Sequence, residues 1–174
     1  MSNLKKLLRY DWPLHFVLLF TNWLPDNIQI LRLRGYLASP FFRKCGKNLR
    51  LGRNITFYNP SRISIGNDVY IALGNWFMAA EAIDIDDQVI IGPYNVFVTG
   101  DHTLQDGSFR YGAHVVAPIK IGRGSWVASS CTITKGSTIG SGSVVGANSM
   151  VNKDIPSDTM AGGCPAKPIK SLKK

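Results

Sequence analysis

Two of the chain's three histidines, His102 and His114, fall inside one twenty-residue stretch, TGDHTLQDGSFRYGAHVVAP (residues 99–118). A free imidazole titrates at about pH 6.5, so its neutral form can take a proton from a hydroxyl near neutral pH. The third, His15, lies in an apolar N-terminal run and reads as packing. Two histidines are too few for a three-histidine zinc site, and no metal is expected. Cys45, Cys131 and Cys164 are odd in number and lack a Cys-x-x-Cys spacing. That argues against a metal cluster or a disulfide framework and suits a reducing compartment. The residues alone leave open which histidine of the pair would act.

The elements around this stretch count in sixes. Ile121, Val127, Ile133, Ile139, Val145 and Val151 are β-branched and six apart, and a small residue stands four places after most of them: Ser125, Cys131, Ser137, Ser143, Ser149. Ile155 alone ends that second series with a large residue. Upstream runs are Leu51, Phe57, Ile63; then Ile65, Ile71, Phe77, Ile83; then Ile85, Ile91, Phe97, each run starting two residues after the last. The count stops at 99–118 and resumes at Ile121. At 3.6 residues per turn, a helix would send positions six apart to different faces. A short strand and a tight turn, repeated, keeps every aliphatic residue inward and needs a small residue at each corner. Gly66, Gly92, Gly122, Gly140 and Gly146 follow aliphatic positions, where the chain must turn. Three hexads predict a triangular coil of eighteen residues and an all-β, parallel β-helix, with Cys131 in its core and 99–118 as a protruding loop.

The N-terminal third differs. Residues 1–53 hold ten Lys/Arg against Asp11 and Asp26, whereas the rest of the chain is nearly balanced. Helices are expected over 1–42, with Asp11 capping one that has Pro13 in its first turn, and Pro25–Asp26 closing it and starting another. Eight of the eighteen aromatic residues lie there. The apolar run 14–24 is too short to cross a bilayer, which takes about 20 residues, and no cleavage signature follows it. The expectation is a cytoplasmic protein whose basic, aromatic start either lies on the inner membrane face or packs on the protein itself. No nucleic-acid recognition motif accompanies the charge, so no nucleic-acid partner is expected.

SWVAS, VGANSMVNKDIP and AGGCPAKPIK, within residues 45–170, resemble the hexapeptide-repeat acyltransferases, closest to the sugar and polysaccharide O-acetyltransferases. The resemblance implies a left-handed β-helix over 45–157, a helical segment over 1–44, a coenzyme-side tail over 158–174 and a homotrimer with sites between subunits. It implies acetyl-CoA as donor and a saccharide hydroxyl as acceptor, in surface polysaccharide biosynthesis. His102 matches the family's general base through Thr99-Gly100-Asp101-His102, which leaves His114 on the substrate side. The backbone at Ser129 matches the oxyanion donor. Trp126, Ala128, Ser129, Gly146 and Ala147 match the coenzyme arm site, with Asn152, Lys153, Lys167 and Lys170 towards its phosphates; Lys173 and Lys174 read as a frayed end. Some sugar acetyltransferases carry an Asn where this chain has Ala72, so the acceptor side is less defined. Asn75, Glu81 and Asp84 are its candidates beside His114, with Arg110 and Tyr111 weaker ones. Serine O-acetylation and a non-catalytic β-helix scaffold are the alternatives.

Overall fold

The computed structural model describes residues 3–173, so Lys174 lies outside the described residues. The chain opens with a helix made of Asn3–Lys6, a π-turn Leu7–Asp11 and Trp12–Thr21. Pro13 has no N–H for the carbonyl four residues back, and the Trp12 N–H reaches Leu7 O, five residues back. Asp11 therefore caps nothing: its backbone is helical and its side chain makes no cap bond. Asn27, not Asp26, caps the second helix, Ile28–Ala38, accepting from the Ile30 N–H at 3.0 Å. Asp26 is instead the ion-pair partner of Arg34 at 2.9 Å.

Arg34 is fully buried and fastens the helices to the coil. It donates to Leu51 O at 2.7 Å, Thr21 O at 3.0 Å, Leu24 O at 3.4 Å and Thr21 Oγ1 at 3.3 Å. Gly35 comes so close to the same coil that an added Cβ would lie 1.9 Å from Leu49 O.

The rest winds as a parallel β-helix with three faces. The first stacks Lys44–Cys45, Ile63–Ile65, Ile83–Ile85, Ile119–Ile121 and Thr138–Ile139. The second stacks Arg50–Leu51, Tyr70–Ile71, Ile90–Ile91, Trp126–Val127, Val144–Val145 and Thr159–Gly162. The third stacks Thr56–Tyr58, Trp76–Met78, Val96–Val98, Thr132–Thr134 and Met150–Val151. The upper coils have the expected eighteen residues, as in Val127↔Val145 and Ile133↔Val151. The lower coils have twenty, as in Arg50↔Tyr70 and Phe57↔Phe77. The two extra residues are the offset seen at each new run, and they widen the corner from third face to first.

Every residue of the sixfold count but one is buried; the exception, Phe57, is partly buried and packs against the same core. Phe57, Phe77 and Phe97 stack rung on rung, with ring centroids 4.9 and 4.5 Å apart. Full burial of such a side chain is worth roughly 1.5–3 kcal/mol. The segment after 157 is not a separate tail: Thr159–Gly162 continues the second face, and Lys167–Ser171 pairs with it antiparallel.

Candidate active site

Residues 99–118 leave the coil where the third face ends. Gly100–His102 and His114–Val116 form an antiparallel hairpin with His102 directly opposite His114. Their rings lie 5.2 Å apart, centroid to centroid, and both residues are exposed. Side chains alternate along a strand, so Asp101 points to the other side, where its carboxylate meets Lys135 Nζ of the coil at 3.3 Å. One face of the hairpin is thus tied to its own coil and the other presents two imidazoles. Gly100 makes room for them: a Cβ there would lie 2.4 Å from His114 Nε2. The Asp101–Lys135 pair is a positioning contact that the sequence reading passed over; its only signal was a carboxylate beside the histidine.

Ser129 sits at a different corner, between the second and third faces. Tyr94, Ser130 and Asn148 stack there with φ of 61°, 58° and 57°. The residues before them are Pro93, Ser129 and Ala147. Pro93 has no N–H, and the Ser129 N–H makes no hydrogen bond among the described residues. The turn therefore leaves a donor at the surface, as an oxyanion site requires. Gly146 and Ala147 lie one rung above Ala128 and Ser129, because Val127 pairs with Val145. Gly162 follows above, with Lys167 paired to it and Lys170 paired to Met160 over the Trp126 column. Trp126, Ala128, Ser129, Gly146, Ala147, Lys167 and Lys170 are thus one continuous strip.

The structure does not gather the remaining expected residues there. Asn152 and Lys153 are exposed at the corner that bears the hairpin. His102 and Ser129 stand at opposite edges of the third face. Three residues of strand, roughly 10 Å, separate the two corners, so one chain does not bring them together.

The three acceptor candidates of the lower coil are scattered. Asn75 cannot face a ligand: it is 1% exposed and its amide donates to Ala72 O and Gly92 O. It belongs to an internal ladder in which Asn75 Oδ1 accepts from Asn95 N at 2.9 Å and Asn95 Oδ1 from Cys131 N at 2.8 Å. Asp84 is on the outer side of the first face in an ion pair with Arg43. Glu81 turns back on the backbone, accepting from the Ala82 N–H at 2.9 Å. Arg110 and Tyr111 are exposed on the hairpin loop. Cys131 faces the core, its thiol donating to Gly146 O at 3.1 Å, and burial raises its pKa.

This arrangement has known counterparts. A family model described as bacterial transferase hexapeptide (six repeats) matches residues 118–153. A hexapeptide-repeat acetyltransferase from Vibrio cholerae O1 biovar eltor, solved in complex with acetyl-coenzyme A, superimposes with a TM-score of 0.77 at 30% identity over 99% of this chain and 91% of that one. This chain belongs to the hexapeptide-repeat acetyltransferases. It is 31% identical to the galactoside O-acetyltransferase of Escherichia coli K12 over 137 residues, 79% of this chain and 61% of that protein. It is 36% identical to the sophorolipid acetyltransferase of Starmerella bombicola over 110 residues, 63% of this chain and 42% of that protein. The chain thus spans under two thirds of the length of both curated relatives. In this hexapeptide-repeat acetyltransferase the stacked strands form the frame, and the exposed polar groups lie at its corners and on the hairpin.

Proposed function

We propose that the chain transfers an acetyl group from acetyl-CoA to a saccharide hydroxyl, with His102 as general base and the Ser129 N–H as oxyanion donor. The observation that carries this reading is the hairpin: its fixed face is spent on Lys135, and its free face offers His102 and His114 to whatever lies beyond the chain. The strip from Trp126 to Lys170 offers an aromatic side chain, small residues that let a long arm lie close, and two cations for phosphates. Asn152 and Lys153 join it from another subunit's corner. In the proposed homotrimer, His102 of one subunit meets the Ser129 turn of its neighbour.

In the reaction, neutral His102 takes the proton of the acceptor hydroxyl as its oxygen attacks the thioester carbonyl. The new C–O bond places negative charge on the carbonyl oxygen, where the Ser129 N–H can donate. Collapse breaks the C–S bond, and the departing thiolate takes the proton from the imidazolium. The products are an acetyl ester and the free thiol, and no covalent enzyme intermediate is needed. His114 bears on the acceptor.

The relatives' names, a galactoside and a sophorolipid acetyltransferase, support a sugar acceptor, and we place it among precursors of surface polysaccharide. Mass-spectrometric detection of acetyl transfer to a panel of sugars, nucleotide sugars, lipid-linked glycans and serine tests this. An acetylated glycan is the expected result. Acetylated serine, or no binding of acetyl-CoA, would overturn it.

A further inference from the structure

We propose that the N-terminal helix is a docking surface for an anionic lipid bilayer, lying in its plane. Leu14 and Leu18 bury one side of this helix against the first coil. The opposite side exposes Leu4, Leu8, Trp12, Phe16 and Phe20, each four residues from the last, with Trp23 beyond them. Steps of four drift by about 40° each on an α-helix, so five such residues would spread over about 160°. The π-turn Leu7–Asp11 takes in one extra residue, which rotates the later residues back by about 100° and narrows the spread to about 80°. The departure from α-geometry thus turns a spiral of apolar residues into a stripe. An apolar crevice of about 290 Å³, lined by Trp12, His15 and Phe16, opens on it.

Charge selects the occupant. Lys5 and Arg9 stand about 100° round the helix from Leu4. The Arg9 guanidinium is 5.1 Å from the Tyr10 ring centroid and 5.9 Å from that of Phe41. Lys6, by contrast, is half-buried on the side of Leu14, and Arg32 stands exposed on the next helix. Both acids of the segment are held elsewhere: Asp11 is partly buried against the Asn59 backbone, and Asp26 is paired with Arg34. No described helix is long and apolar enough to cross a membrane. Tryptophan and phenylalanine backed by cations, on a helix that cannot span, are the chemistry of interfacial binding. The proposal stands apart from the acetyl-transfer reading, since binding needs neither donor nor acceptor.

The full chain should co-sediment with phosphatidylcholine vesicles containing phosphatidylglycerol, and far less with phosphatidylcholine alone. Added salt should weaken it, because exposed charges are screened. Replacing Lys5 and Arg9 by Gln should reduce the partition coefficient by about fivefold per cation. Phe16→Ser with Phe20→Ser should abolish binding while circular dichroism and melting temperature stay unchanged. Should that variant unfold, brominated lipid gives a second readout on the wild type: quenching should vanish with Trp12→Phe and Trp23→Phe, although Trp76 and Trp126 remain. Failure of the wild type to sediment with anionic vesicles overturns the proposal. So does full binding by the Phe16/Phe20 variant together with a lowered oligomeric mass, which would assign the stripe to contact between copies.

Discussion

His102 and His114 face each other across the hairpin with their rings 5.2 Å apart, and Gly100 is the residue that lets His114 lie where it does. Gly100→Ala places a Cβ in the space of the His114 ring, which must swing away. The hairpin is exposed and the ring is free to move, so the melting temperature should stay within about 2 °C, below the shift expected for 1 kcal/mol. A lower kcat/KM for the acceptor at unchanged affinity for acetyl-CoA is the expected result, read by steady-state kinetics.

The separation of His102 from the Ser129 turn predicts activity only between copies. Light scattering should give three times the mass of one chain. His102→Ala lacks the proposed base, and Ala147→Trp fills the exposed strip; each alone should be inactive. Mixed after dissociation and reassembly, they should regain about one quarter of wild-type activity, the share of interfaces in a closed ring that pair an intact base with an intact strip. No recovery would mean the site lies within one chain.

The count in sixes made the coil legible because its inward residues are nearly all Leu, Ile, Val or Phe. The corner residues were legible too, though less easily. Asn75 stands four places after Ile71, the offset at which Cys131 follows Val127, so its burial could have been read from its register rather than its polarity. The twenty-residue coils were present as the two-residue offsets but carry no chemical label. The π-turn was not legible, since local sequence favours an ordinary helix and Asp11 with Pro13 imitates a helix start. The placement of His102 and Ser129 at two different corners follows from the order of the faces, which only the paired strands reveal.

Asn95 links two rungs, so its role is stability and not acceptor binding. Asn95→Ala leaves the Cys131 N–H without its acceptor, while Gly92 O keeps the Asn75 amide, at a cost of about 1–3 kcal/mol for the one buried donor. Denaturant unfolding should show that loss, with KM values of the folded fraction unchanged. Asn75→Ala should behave alike.

Arg34 has the larger effect. Removing it leaves Leu51 O and Leu24 O without their donor and takes the buried partner from Asp26, which keeps only Arg53; breaking a buried pair costs about 3–5 kcal/mol. Arg34→Lys should fail to rescue, because one ammonium cannot replace a planar fork. Unfolding of Arg34→Ala and Arg34→Lys checks both.

The thiols predict an alkaline limit. Burial raises the Cys45 pKa to about 11, so the stability from keeping this thiol neutral is present below about pH 9 and is lost as pH rises through about 11. At pH 8 only Cys164, exposed, should react rapidly with a thiol reagent. Cys131→Ala should retain acetyl transfer.

The most direct measurement is the rate of acetyl transfer by His102→Ala, beside its affinity for acetyl-CoA. General-base catalysis contributes about 10²–10⁴-fold. A kcat reduced by that factor with donor affinity kept within about threefold is the predicted result, a threefold change being under 1 kcal/mol. A variant that transfers acetyl groups at the wild-type rate would contradict the account.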